Sequence, residues 1–442
     1  MAPVKTGIVL FTRDLRVHDN PALGAACDEC ERVVPLFVLD DAVLARFGAP
    51  NRVAFLLDSL RDLDRSLRER GAALVVRRGS VVSATVALGV SRVYLAEDVS
   101  TYARGRERAL REAGLDVRIH PGVTVIPPGD VAPSSGGDHF AVFTPYWNRW
   151  RAQPRRRVLG PPRVVRLPEG VDTGVVPDLQ PGPTSSRIPA GGETEGRRRL
   201  DAWIAGGLGA YGTGRDQLAD DSTSRLSAYL RFGCMSPLEV VERALGRPGG
   251  EEFVRQLCWR DFHYQLIAAR PELAHEDMRS RGDRWRDDDA ALAAWQEGRT
   301  GYPLVDAGMR QLREEGFMHN RARLVTASFL TKHLYVDWRA GAEHYASLLV
   351  DVDIPNNVGN WQWVAGTGAD TRPNRVFNPI RQAERYDPSG EYVRRWVPEL
   401  AERDSAALRE PWTLGLLGVP GYPLPIVEHA EAVARFRAAR GG

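Results

Sequence analysis

Apolar positions in the first third of the chain fall in short runs: Gly7 to Phe11, Val33 to Leu39, Ala73 to Val76, Arg92 to Ala96 and Val117 to Ile119. Each run has the length of a strand. Between the second and third runs, Val53, Leu56, Leu57, Leu60, Leu63 and Leu67 recur at helical spacing and predict a helix over Arg52 to Arg70, closed by Gly71. Strands alternating with helices predict an α/β domain built on a parallel, Rossmann-like sheet. From Pro121 to about Gly192 the periodicity gives way to Pro, Gly and Ser, interrupted by an ordered-looking segment from Phe143 to Trp150. After Glu193 the pattern turns helical, as in Arg199 to Ile204, Phe253 to Ala269 and Ala322 to Leu334, and stays so until about Leu400. The expected organisation is an α/β domain over 1–130, a connection over 131–195 and a mostly α-helical domain over 196–442.

Composition narrows the class. With 442 residues, 43% hydrophobic and 26% charged, the chain is globular and large enough for two or three domains. Of 59 basic residues only Lys5 and Lys332 are lysines, so a formal charge of +2 covers a surface rich in guanidinium forks, which suit phosphate. Four cysteines in a chain of this size imply a reducing compartment. Cys27 and Cys30 match C-x-x-C, but Ala25 and Ala26 beside them predict the end of a helix instead of a redox pair. The apolar run at Gly7 is followed at once by Arg13, Asp14 and Arg16, which is not a secretory pattern, and no stretch of about 20 apolar residues is present to span a membrane.

Several motifs fail on context. Gly207 to Gly212 spells G-x-G-x-x-G but follows a helical stretch, whereas a dinucleotide fingerprint needs a strand before it. Asp351 to Asn357 opens like a calcium loop, yet Pro355 and Asn356 occupy a ligand position and the required Gly. No His and Cys spacing suits zinc, and no G-x-S-x-G elbow is present. Ser222 to Ser227 places hydroxyls and an Arg at a helix start, which reads equally as a phosphate seat or as ordinary capping; Tyr211 and Arg215 lie upstream. Six of the eleven Trp, namely Trp259, Trp285, Trp295, Trp338, Trp361 and Trp363, crowd the helical region. Indole packs cores well, and it is also the easiest common aromatic side chain to oxidise and a good surface for stacking bases.

Taken in order, Phe11-Thr-Arg13-Asp-Leu-Arg16-Val-His-Asp19-Asn20, Thr223-Ser-Arg-Leu-Ser227, Cys258-Trp-Arg-Asp-Phe262, Thr300-Gly-Tyr-Pro-Leu-Val-Asp306-Ala-Gly-Met-Arg310, Met318-His-Asn-Arg321 and Asn360-Trp-Gln-Trp363 resemble the photolyase/cryptochrome family, most closely its bacterial class I type cyclobutane-dimer photolyases. The resemblance runs from Gly7 to about Leu400. It implies that 1–130 is an antenna domain and that 196–442 holds FAD. It implies that Tyr211, Thr223, Ser224, Arg225, Leu226 and Ser227 hold the flavin phosphates, and that Arg260, Asn320, Arg323, Asp351 and Asp353 surround the isoalloxazine and ribityl groups. Asn357 matches the position facing flavin N5. Trp361, Trp338 and Trp285 match the proximal, middle and distal electron-transfer tryptophans. Trp259 and Trp363 match the pair that packs a flipped pyrimidine dimer, and Arg215, Arg321, Arg375 and Gln382 match DNA contacts at the rim.

Two positions depart from most bacterial relatives of that type: Gln256 replaces a Glu, and Leu324 replaces a Met. Gln256 is shared with 6-4 photolyases and animal cryptochromes, but Asn320 and Leu324 stand where 6-4 photolyases carry histidines. A second chromophore is also implied, with a deazaflavin favoured over methenyltetrahydrofolate. Arg52, Asp98 and Arg231 resemble its pocket, and Ser100 stands where an acidic partner is expected. The expected function is light-driven repair: reduced FAD gives an electron to a flipped-out cyclobutane pyrimidine dimer and splits it. The alternatives are a cryptochrome-type blue-light photoreceptor and a 6-4 photolyase. The expected partner is UV-damaged DNA, with no membrane and no obligate protein partner, in a cytoplasmic monomer that joins the nucleoid when bound to DNA.

Overall fold

The computed structural model describes residues 4–134, 136–179, 182–415 and 418–441. Strands β1 (Val4–Leu10), β2 (Cys30–Leu39), β3 (Val75–Arg78), β4 (Arg92–Ala96) and β5 (Asp116–His120) form one parallel sheet in the order β3-β2-β1-β4-β5. Ile8 lies opposite Val34 on one side and Val93 on the other. From β1 the chain winds outward in one direction, then returns to build the other half, the doubly wound topology. Both faces are covered, so Ile8, Leu36, Val75, Val93 and Leu95 are fully buried, and the strands read as continuous apolar runs in the sequence.

The predicted amphipathic helix spans Pro50–Arg68, two residues earlier than its periodicity suggested. Proline is well suited to a first turn, where its missing N–H is not needed. Gly71, at φ +92, turns the chain back toward the sheet. Cys27 ends up near the close of the Pro21–Glu29 helix and Cys30 opens β2; both thiols are free. Burial, with Asp28 nearby, pushes the Cys27 thiol up to about 11.

The Phe11 to Asn20 motif folds into a buried polar knot. Arg16, fully buried, donates to the carbonyls of Asp19, Gly122 and Gly233. The Asp19 carboxylate accepts from Arg156, Ser236 and the Leu159 N–H. Glu193 accepts from the Val17 and His18 N–H groups, and Asn20 caps the Pro21–Glu29 helix. Described parts of the Pro- and Gly-rich connection are tied to the sheet unit by main-chain hydrogen bonds. Val33 and Val76 donate to the carbonyls of Arg166 and Thr173, and Val165 donates to that of Arg70, each at 2.8 Å. Phe143–Trp150 is a helix whose Trp150 donates to Asp261 at 2.9 Å.

The chain forms two compact units that interleave in sequence. One gathers residues up to Thr184 with Pro189–Gly209 and Ser224–Pro271, and the other gathers Ser185–Ile188, Ala210–Thr223 and everything from Glu272 onward. In the second unit the helices Pro303–Glu315, Asn320–Ser328, Trp338–Leu348 and Ile354–Ala365 pack around Trp295, Leu312, Phe329 and Trp338. Asp306 ties this core together by accepting from Thr300, the Gly301 N–H and Tyr422. Helical structure does not stop near Leu400, as the pattern suggested, because a further helix spans His429–Ala439. Its apolar stripe is thin, with only Ala432 and Phe436 buried, so its tie to the body is largely polar and invisible to periodicity. Among the described residues no helix is long and apolar enough to cross a membrane.

Candidate functional site

Within the second unit, the Asn320–Ser328, Trp338–Leu348 and Ile354–Ala365 helices and the turn before the last of them line a pocket of about 520 Å³, part of it open to solvent. Asn320, Arg323, Asp351, Asp353, Asn357 and Trp361, all singled out in the sequence, line it together. Leu324, where the family resemblance led to the expectation of a Met, is also in the wall. Sequence reasoning missed Tyr345, Asn356 and Asn360. A signal was available for the last two: 356, 357, 360, 361 and 364 share one face of a helix.

Arg323 holds Asp351 at 2.8 Å, with the Asp351 side chain only 6% exposed. The second Asp351 oxygen, Oδ1, is buried without a hydrogen-bond partner, and so is Nε1 of Trp361. Buried polar atoms are normally satisfied, so an unpaired acceptor and an unpaired donor on two residues that line one pocket mark this wall as more than ordinary packing. A flat heteroaromatic ring of the flavin type fits that donor set. Asp353 faces the same pocket while capping the Ile354–Ala365 helix through the Asn356 N–H, which explains the calcium-like spelling without a cation. Asn357 donates through Nδ2 to the Ala342 carbonyl at 3.1 Å, an orientation that leaves Oδ1 as its acceptor. Trp361 meets Tyr345 edge-on at 4.9 Å and Trp295 at 6.1 Å.

The other sequence-predicted residues lie outside this pocket's wall. Arg260 is buried against the Val123 carbonyl and the ring of Tyr264. In the Thr223 to Ser227 stretch the helix begins only at Ser227, and its cap residue, Leu226, makes no side-chain capping bond. Ser224 accepts weakly from the Leu226 N–H at 3.4 Å, Arg225 takes a left-handed φ of +52, and the buried Thr223 hydroxyl has no partner. The segment is thus strained and incompletely satisfied, not a routine cap. Tyr211 sits under Arg215, and burial pushes its phenol up to about 12.

Trp338 is buried and donates to Asp277, whereas Trp285 is half-buried against Tyr335. Trp259 stacks one face on Phe143, with centroids at 3.7 Å, and Gln256 lies one turn before Arg260 on the same helix, half-buried. Trp363 carries Arg375 over its ring at 4.8 Å. Arg321 is paired with Asp216 at 2.7 Å and packs over Tyr386, and Gln382 has a buried oxygen without a partner. In the sheet unit, Arg13 bridges two antenna candidates, pairing with Asp98 at 3.5 Å and donating to the Arg231 carbonyl. Arg52 instead donates to the Phe47 carbonyl, and burial lowers its guanidinium to about 10. Ser100 caps the Thr101–Glu112 helix.

Comparison with known proteins agrees with this layout. Residues 7–166 match the DNA photolyase family model, and 253–441 match the FAD binding domain of DNA photolyase. The chain is 53% identical to the deoxyribodipyrimidine photo-lyase of Streptomyces griseus, over 99% of this chain and 100% of that one. It superposes on a bacterial class III photolyase from Agrobacterium tumefaciens with a TM-score of 0.92 and 35% identity, covering 99% and 97% of the two chains. An archaeal photolyase from Sulfolobus tokodaii, described with two FAD molecules, gives a TM-score of 0.89 at 32% identity, covering 98% and 99%. The chain belongs to the photolyase/cryptochrome family.

Proposed function

We propose that this protein is a light-driven DNA repair enzyme that binds FAD in the pocket of its second unit and splits cyclobutane pyrimidine dimers. The observation that carries the reading is a pocket in the region that matches the photolyase FAD binding domain, lined by Asp351 and Trp361, each of which has a buried polar atom, Oδ1 and Nε1, without a hydrogen-bond partner. When bound in its reduced form, FAD supplies the excited-state electron that opens the dimer and receives it back.

The chain's own residues position and insulate. Arg323 holds Asp351 in place through a short, mostly buried ion pair. Asn357, neutral at every working pH, offers Oδ1 to a ring N–H without titrating, which favours repair over a plant-type signalling cycle. Tyr211 and the strained Thr223 to Ser227 segment hold the cofactor's phosphates, with Arg260 and Asn320 as further contacts to the cofactor. Trp259 and Trp363 form aromatic walls for a flipped dimer; Trp259, with one face on Phe143, offers the other. Arg215, Arg321, Arg375 and Gln382 contact the DNA backbone; for Arg321 a phosphate competes with Asp216. Trp361, Trp338 and Trp285 deliver electrons to oxidised flavin. Residues 1–130 form the antenna domain, with Arg52, Asp98 and Arg231 near a deazaflavin, 131–195 connect, and 196–442 carry the catalysis.

The test is product analysis under blue light with reduced, FAD-loaded protein and DNA carrying either lesion. Cyclobutane dimers should revert while 6-4 lesions persist, because Asn320 and Leu324 supply no ionisable ring. Repair of 6-4 lesions alone would overturn the lesion assignment, and repair of neither would favour a photoreceptor.

A further inference from the structure

Among the described residues, Tyr335 stands out as a buried, oxidisable side chain that the proposed function does not use. Its ring centroid lies 5.0 Å from that of Trp285, at an interplanar angle of 49°. The two are held in register by the main chain, where the Arg286 N–H donates to the Tyr335 carbonyl at 2.8 Å. Tyr335 is only 4% exposed, whereas Trp285 is half-buried. Its hydroxyl donates to Asp283 Oδ1 at 2.8 Å. Asp283 is itself clamped by Arg440 through both oxygens, with both side chains 2% exposed. Phe436, at 6.0 Å on the far side, is not oxidisable and closes the aromatic path.

We infer that Tyr335 is the terminal electron donor of the tryptophan chain, reducing Trp285 after light-driven oxidation and passing its phenolic proton to Asp283. This rests on the reading of Trp361, Trp338 and Trp285 as the path to flavin. The oxidant is the Trp285 radical cation, formed when photoexcited oxidised flavin draws an electron through the tryptophans. Trp285 gains one electron and is restored. Tyr335 loses one, its O–H bond breaks, and the proton moves along the existing hydrogen bond to the carboxylate, leaving a neutral tyrosyl radical. The carboxylate decides the matter, because a tyrosine gives up an electron easily only if its proton has somewhere to go within hydrogen-bond reach. Burial and the Asp283 hydrogen bond push the Tyr335 phenol up to about 12, so it retains the proton until the electron leaves. Tyr345 provides the contrast. It lies as close to Trp361, but its hydroxyl meets the Thr326 hydroxyl, the Met318 sulfur and the Arg323 carbonyl, and no carboxylate.

The step can be tested in FAD-loaded protein by oxidising Trp285 in two ways: a flash that excites oxidised flavin, and a ruthenium tris-bipyridine flash-quench oxidant in solution. After either, the tryptophan radical should convert to a neutral tyrosyl radical whose EPR spectrum narrows in protein made with ring-deuterated tyrosine. In Tyr335→Phe the tyrosyl spectrum should vanish and the tryptophan radical should persist about tenfold longer. Tyr335→Leu repeats the measurement should the Phe variant fold poorly. A tyrosyl radical of unchanged yield in either variant, or a tryptophan radical in the unsubstituted protein that decays without one, overturns the assignment. If the flavin flash alone gives no radical, the path through Trp361 and Trp338 is wrong, and the flash-quench arm still decides on Tyr335.

Discussion

Two buried aspartates, one in each unit, show how similar chemistry serves opposite ends. Asp19, in the sheet unit, accepts from Arg156 through both oxygens, from Ser236 and from the Leu159 N–H. Asp351, in the helical unit, is held by Arg323 through one oxygen and keeps the other unpartnered at the pocket. A carboxylate with its capacity used up fastens structure, and one held firmly with capacity left over is prepared to bind. Burial alone therefore does not mark a functional residue; incomplete satisfaction beside a cavity does.

The largest effect should come from breaking the closed case. Asp19→Ala leaves Arg156 and Ser236 facing an uncompensated site and should cost about 3–5 kcal/mol in denaturant unfolding. A loss below about 1 kcal/mol would remove the polar knot from the stabilising framework.

Asp261 lies between the two cases. It accepts from the Val125 and Ile126 N–H groups and from Trp150, all on one oxygen, while its other oxygen has no hydrogen-bond partner. Burial, opposed by Arg260 and these hydrogen bonds, raises its carboxyl to about 6. Above that pH the folded protein bears the cost of the charge. Between about 6 and 4 the folded state takes up a proton that the unfolded state does not, so this group makes stability rise on acidification, by at most about 3 kcal/mol. Relative to Asp261→Asn, the parent should gain stability as pH falls through that window. Parallel pH profiles would refute the shift.

Asp351→Asn keeps the shape of the open case and removes its charge. FAD affinity should fall by about 1.5–3 kcal/mol, measured by flavin fluorescence on titration, with a smaller change in unfolding free energy. Equal losses in both would make Asp351 a fastener like Asp19. The smallest effect belongs to the aromatic wall. Trp363→Ala should weaken binding to dimer-containing DNA by about 1–3 kcal/mol while leaving FAD content unchanged. Unchanged affinity would take Trp363 out of the lesion pocket.

The sheet was legible because its central strands are buried on both faces and therefore write continuous apolar runs, as Val33 to Leu39 does, whereas the edge strand β5 is only partly buried and reads as a mixed one. The Pro50–Arg68 helix was legible because one face packs and the other is wet. Six pocket residues could be named from motifs, whereas Tyr345 lies on a different helix from Trp361 and shares no local pattern with it. In the sequence the Thr223 to Ser227 segment left capping and phosphate binding equally open, and it gave no sign of the left-handed backbone at Arg225 or of the Thr223 hydroxyl without a hydrogen-bond partner.

By itself the sequence determined the parallel α/β sheet and the helical second half, because these depend on spacing within tens of residues, and its motifs carried the family resemblance and through it six residues of the pocket. Only the tertiary structure decided which polar atoms are left over and which distant side chains meet: Asp351 with a free oxygen, Trp285 beside Tyr335, and Asp283 clamped by Arg440. Such pairings are made when chain segments far apart in sequence close on each other, and no local period encodes that closure.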